Sequence, residues 1–160
     1  MSILEDVIIL KDLASELRQN MINQRRENGL PLNHSTQVWL NVRLRAEEHP
    51  NLAFQTPSSK EIAALRVGDY VKITYEAYGE NHEVRGERFW VEISDNGFTE
   101  AFRIKDGSVL FFGKVASGNW AAVNALLMEH EDFELMYGDM VSLTSDNILE
   151  TISMKDRVET

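Results

Sequence analysis

The side chains best suited to proton transfer or metal binding gather at Glu129-His130-Glu131-Asp132. An imidazole between carboxylates is raw material for an acid–base pair or a chelate. Consecutive residues on a helix point to different faces, however, so this run chelates poorly unless the helix ends there. The remaining histidines, His34, His49 and His82, fall in segments that read as loops. Neither H-E-x-x-H nor a two-histidine, one-carboxylate spacing occurs, so no metal and no cofactor is expected. No glycine-rich phosphate loop and no G-x-S-x-G elbow is present, and Gly113-Lys114 reads as the interior of a strand. With no cysteine, the chain has no thiol nucleophile, disulfide or thiolate metal site. Carboxylates are too abundant for any one pair to signal a glycosidase. No catalytic residue is assigned; a hydrolase or transferase with an acid–base site near His130 or His82 is the second reading.

Charge is more informative. The 160 residues carry 26 acidic and 16 basic side chains, a formal charge of −10. Residues 1–66 hold eight of each sign, so the whole excess falls in residues 67–160. Between Val115 and Met154 there is no Lys or Arg, while Glu129, Glu131, Asp132, Glu134, Asp139, Asp146 and Glu150 stand unopposed along the chain. Such a stretch should steer a basic protein towards it, and it will not hold a nucleic-acid backbone directly. Trp90 and Trp120 are the candidate aromatic anchors beside it.

The elements that must position these groups follow from periodicity. Ser2 and Glu5 form a capping box, and Ile3, Val7, Leu10, Ala14, Leu17 and Met21 recur at steps of four and three. Asn28-Gly29 and Pro31 stop the helix, which is predicted over Ile3 to Glu27. Its stripe is expected to pack on the rest of the chain, since Ile8 and Ile9 widen the apolar face. The same spacing fits three heptads, through which Ile3, Val7, Leu10, Leu17 and Met21 would join two copies. Residues 35–48 alternate like a strand at Val38, Leu40, Val42 and Leu44, but the closing Arg-Ala-Glu-Glu decides for a helix. A second capping box, Ser58 and Glu61, opens a short helix ending near Leu65.

Beyond Val67-Gly68-Asp69 the pattern turns to β. Strands are predicted at 69–78, at 87–94 with Phe89, Val91 and Ile93 inward, after the Asp95-Asn96-Gly97 turn, and at 108–116 after Asp106-Gly107. Residues 79–87 read as a loop. Asn119 caps a helix over 119–130, and Met140–Thr144 is read as the final strand after Tyr137-Gly138-Asp139. Trp90 shows the opposite parity to Phe89, so either the N-terminal helix covers it or it is exposed. No internal repeat is apparent. The N-terminus lacks a secretory pattern and no apolar run spans a membrane, so a cytoplasmic protein is expected.

The order Gly68-Asp69-Tyr70-Val71-Lys72-Ile73, Gly86-Glu87-Arg88-Phe89-Trp90-Val91-Glu92-Ile93, Phe112-Gly113-Lys114-Val115 and Tyr137-Gly138-Asp139-Met140-Val141 resembles a bacterial domain of unknown function, the YegJ-like family, over residues 67–150. The resemblance implies a small SH3-like β fold and no established catalytic residues. The expected architecture is α+β: a helical region over 1–66 packed on a mostly antiparallel SH3-like barrel or sheet over 67–152, with an acidic helical insertion at 118–136 and a frayed tail at 153–160. The leading functional expectation is a non-enzymatic cytosolic module binding a basic partner through Glu129, Glu131, Asp132, Glu134 and Asp139, as an inhibitor or immunity protein of a nucleic-acid enzyme would. A structural subunit assembling through the N-terminal helix is the third reading.

Overall fold

The computed structural model describes residues 2–51, 56–79, 81, 83–94, 108–131 and 133–154. The Asp95-Asn96-Gly97 and Asp106-Gly107 turns, the strand between them, His82, Asp132 and residues 155–160 lie outside the described residues. The first element is α1, Ile3–Glu27. Both arms of the Ser2–Glu5 capping box form, and Leu30 N–H bonds Arg25 O while Gly29 N–H bonds Arg26 O, a Schellman closure.

The predicted helix over 35–48 is broken in two. A 3-10 turn spans Thr36–Val38, and α2 runs only from Val42 to Glu48, capped by the Asn41 side chain. Tertiary bonds hold the chain extended between them. Trp39 Nε1 donates to Ser142 O at 2.8 Å, and Leu40 N–H donates to Thr74 O at 2.9 Å. A continuous helix would forfeit both. The capping box at Ser58 starts α3, Ser59–Ala63.

Among the described residues, five strands make one antiparallel sheet: β1 Tyr70–Tyr78, β2 Val84–Ile93, β3 Leu110–Gly118, β4 Met140–Thr144 and β5 Glu150–Ile152, in the order β4-β3-β2-β1-β5. The fold is therefore α+β. Because β4 and β5 are opposite edges, the sheet is open and does not close into the expected barrel. A strand also follows Met140–Thr144, which is not the last. The loop expected over 79–87 is shorter, since Val84–Glu87 pairs with Tyr78–Tyr75. That half of β2 extends past β3, whose ladder with β2 begins only at Phe89, and its mostly exposed side chains show no inward alternation.

The core lies on one face of the sheet. Val71, Ile73, Tyr75, Phe89, Val91, Ile93, Phe111 and Val115 point into it, as period-2 alternation requires. It is closed by Val123, Leu126 and Leu127 of α4, Trp120–His130, and by Leu32, Trp39, Phe133 and Leu135 from irregular segments. Trp39 meets Phe89 and Phe133 edge-on, with centroids 5.4 and 6.3 Å apart.

Tyr75 is buried in this core, and its phenol pKa is raised above 10.0, first by burial and then by the charges of Glu131 and Glu129. Below pH 10 the phenol is neutral folded or unfolded and contributes nothing; above it, the unfolded chain loses the proton first. Stability therefore falls as pH rises through 10. Tyr75→Phe should flatten that alkaline loss, read as urea midpoints at about pH 8, 10 and 11. Equal slopes for both proteins would contradict the assignment.

Candidate functional site

Two turns that open β1 and β4 are built alike. In Arg66-Val67-Gly68-Asp69, Asp69 N–H donates to Arg66 O at 3.0 Å and Arg66 N–H to Asp69 Oδ2 at 2.9 Å. In Met136-Tyr137-Gly138-Asp139 the same bonds measure 3.0 and 2.7 Å. Gly68 and Gly138 take φ +94° and +89°, a region that disfavours any Cβ. Each glycine N–H and aspartate C=O then closes onto one residue of the neighbouring strand, Ile93 or Val115. The chain thus does contain a repeat, at the scale of a turn. These aspartates act on the backbone of their own turns.

The second carboxylate oxygens differ in use. Asp69 Oδ1 accepts Met154 N–H at 3.0 Å. Asp139 instead receives Arg26 of α1 in a two-pronged bond, Nε to Oδ1 at 2.7 Å and Nη2 to Oδ2 at 3.0 Å, while Nη2 also reaches Glu134 O. The Asp139 hydrogen bond raises the Arg26 pKa further. Asp139, expected on a docking face, is buried and occupied.

Arg26 belongs to a wider pattern. Among the described residues, carboxylates between Val115 and Met154 meet cations from elsewhere in the chain: Glu129 with Arg85 at 2.8 Å, Asp139 with Arg26, Asp146 with Arg43 at 3.6 Å, and Glu150 with Lys72 at 3.2 Å. The stretch is unopposed in sequence and largely opposed in space. The Arg85–Glu129 pair, exposed on both sides, adds little stability, and all four pairs weaken the local field that would steer a partner. Of the remaining acidic residues there, Glu134 is exposed, Glu131 is half-buried and Asp132 lies outside the described residues.

The tryptophans are not free anchors. Trp120 is half-buried with its ring 5.5 Å from Phe89. Trp90 does sit on the face opposite Phe89, but its cover is the Lys72 ammonium, 4.8 Å from the ring centroid at the paired position of β1. The N-terminal helix does not cover it.

His130 ends α4 and lines an open polar cleft of about 470 Å³ with Tyr78, Gly79, Asn81, Glu83, Arg85 and Glu129. Arg85 Nη2 donates to both Glu129 oxygens at 2.9 and 2.8 Å, whereas His130 Nε2 stays 3.8 Å from that carboxylate. The arginine, missed because residues 79–87 read as a loop, takes the place an acid–base partner would need. Among the described residues no group of three or more His, Asp or Glu is arranged to hold a metal ion.

The largest unoccupied feature is α1. It has no buried residue, although Ile22 packs on the core from its last turns and Arg25 Nε donates to Pro31 O at 2.8 Å. The expected packing of its stripe on the β unit does not form, because Leu32, Trp39 and α4 already fill the inner face of the sheet. Ile3, Leu10, Leu17 and Met21 are 83, 65, 64 and 54% exposed, and Leu4, Val7, Ile8, Ile9 and Leu13 are exposed with them. Comparison with family models, with curated proteins and with solved structures gave no match. The class is defined by its own geometry: an open antiparallel α+β unit carrying a projecting amphipathic helix.

Proposed function

We propose that this chain is a non-enzymatic assembly module that binds another polypeptide along the apolar face of α1. The observation that carries this reading is the nine large apolar side chains of α1 left in solvent by a fold whose core is otherwise closed. Exposed apolar surface of that extent marks an interaction site. Its chemistry favours protein over lipid. α1 has no aromatic residue, and its five acidic and four basic side chains leave it no net attraction for an anionic bilayer. Among the described residues no helix is long and apolar enough to cross a membrane.

The acidic face supports a basic partner less well, because Asp139, Asp146, Glu150 and Glu129 already pair with Arg26, Arg43, Lys72 and Arg85. A photo-crosslinking residue placed at Leu10 should yield a covalent adduct with a polypeptide in the source cell. The same residue at Asp12, on the opposite side of the helix, should yield little. Equal adduct from both positions, or none from Leu10, would reject the reading.

A further inference from the structure

The position of α1 against the body leaves its seam open along the whole length. Ile22 faces the core, while Met21, one residue earlier, remains 54% exposed. None of the described residues covers the seam, and the heptad assignment says what kind of partner fits it. With Val7, Ala14 and Met21 at a, the d positions are Ile3, Leu10 and Leu17. Val7 is the one β-branched residue at a, and with Leu10 and Leu17 at d it matches the pairing that favours two parallel strands in part of the seam. Leu4 at e and Leu13 at g broaden the seam, while Ile8 and Ile9 fall outside it at b and c.

The flanking charges fix orientation independently. The e positions beyond Leu4 are Lys11, Arg18 and Arg25, all basic, and the charged g positions are Asp6 and Glu27, both acidic. In a parallel pair g faces e of the other helix, so Asp6 lies against Lys11 and the leucine at 13 against the stem of Arg18. In an antiparallel pair e faces e and g faces g, which sets basic against basic along one flank and acid against acid along the other. A helix whose two flanks carry opposite signs complements its own copy in one direction only.

We infer that the occupant of the α1 seam is a second copy of this chain, paired in parallel through Ile3, Val7, Leu10, Ala14, Leu17 and Met21. This rests on the reading of α1 as a protein-binding helix and names its partner. Both β units then lie at one end of the pair, beside Arg26, and both N-termini at the other.

Sedimentation equilibrium of the full chain should give twice 18.3 kDa at micromolar concentration. Leu17→Glu should raise the dissociation constant by about a hundredfold, with the thermal unfolding of the β unit unchanged. Asp12→Lys, at an outer position, should leave the dimer intact. Because the chain has no cysteine, Ile3→Cys tests direction cleanly: oxidation should link the two copies, since a d residue meets its equivalent only in a parallel pair. A monomer at all concentrations, a dimer indifferent to Leu17→Glu, or a dimer that Ile3→Cys cannot link would overturn the inference. A monomer that still crosslinks from Leu10 to a different polypeptide overturns the second-copy assignment and leaves the binding helix standing. A monomer whose α1 instead pellets with phosphatidylcholine vesicles overturns both.

Discussion

Asn33→Leu is expected to lower the unfolding free energy by about 3 kcal/mol and to make the folded protein prone to aggregate. Asn33 is buried and works as a one-residue strand against the outer edge of β4. Its Nδ2 donates to Ser142 O at 2.8 Å, and its Oδ1 accepts Ser142 N–H at 2.9 Å. Leu32 N–H takes Met140 O on one side, and Thr144 N–H is taken by Asn147 Oδ1 on the other. Every second residue of β4 is thus sealed, which is how an edge is withheld from other chains. Leucine fills the space but bonds nothing. Ser142 N–H is then buried without a partner, while its carbonyl retains the Trp39 indole. Urea midpoints and light scattering check both parts, with the exposed Gln37→Leu as the comparison. An unchanged midpoint would show that the amide does not seal the edge.

Gly113→Ala should cost about as much, roughly 3 kcal/mol, or a fall in melting temperature of roughly 10 °C. Gly113 pairs with Ile93 on one side and Val141 on the other, in the middle of the sheet. A Cβ there would collide with Val91 Cγ1 and lie 2.8 Å from Glu92 O. The valine is walled in by the core and the carbonyl belongs to neighbouring backbone, so neither moves aside cheaply. Gly29→Ala, where a Cβ meets open space and only the backbone angle resists, should cost less. Calorimetry of the two variants decides the order, and a larger loss at Gly29 would contradict the packing account.

What the sequence made legible was local. The ends of α1 follow from Ser2, Glu5, Asn28 and Gly29, four residues whose partners lie within six positions. The inward set Phe89, Val91 and Ile93 follows from alternation, and all three are buried. The rest depended on residues far apart in the chain. Trp39 breaks a helix because its indole bonds Ser142, and no window around residue 39 contains residue 142. The counter-charges of the acidic stretch were hidden for the same reason, since Arg26 lies 113 positions from Asp139. The role of α1 was half visible: an amphipathic stripe says that a face needs cover, not whether its own chain supplies it. The candidate site was therefore read from charge, whereas the structure places the exposed surface on the helix.

The attachment of α1 has a mechanical consequence. Its 25 residues make a rod of about 37 Å, clamped near its C-terminal end by Ile22, Arg25 and Arg26. A rod held at one end is a lever. A tilt of 10° at the Arg26–Asp139 clamp would carry the tip near Ile3 through roughly 6 Å, so small adjustments where the helix leaves the β unit become large displacements at its far end. Whatever grips the tip also has a long arm with which to twist the turn that opens β4.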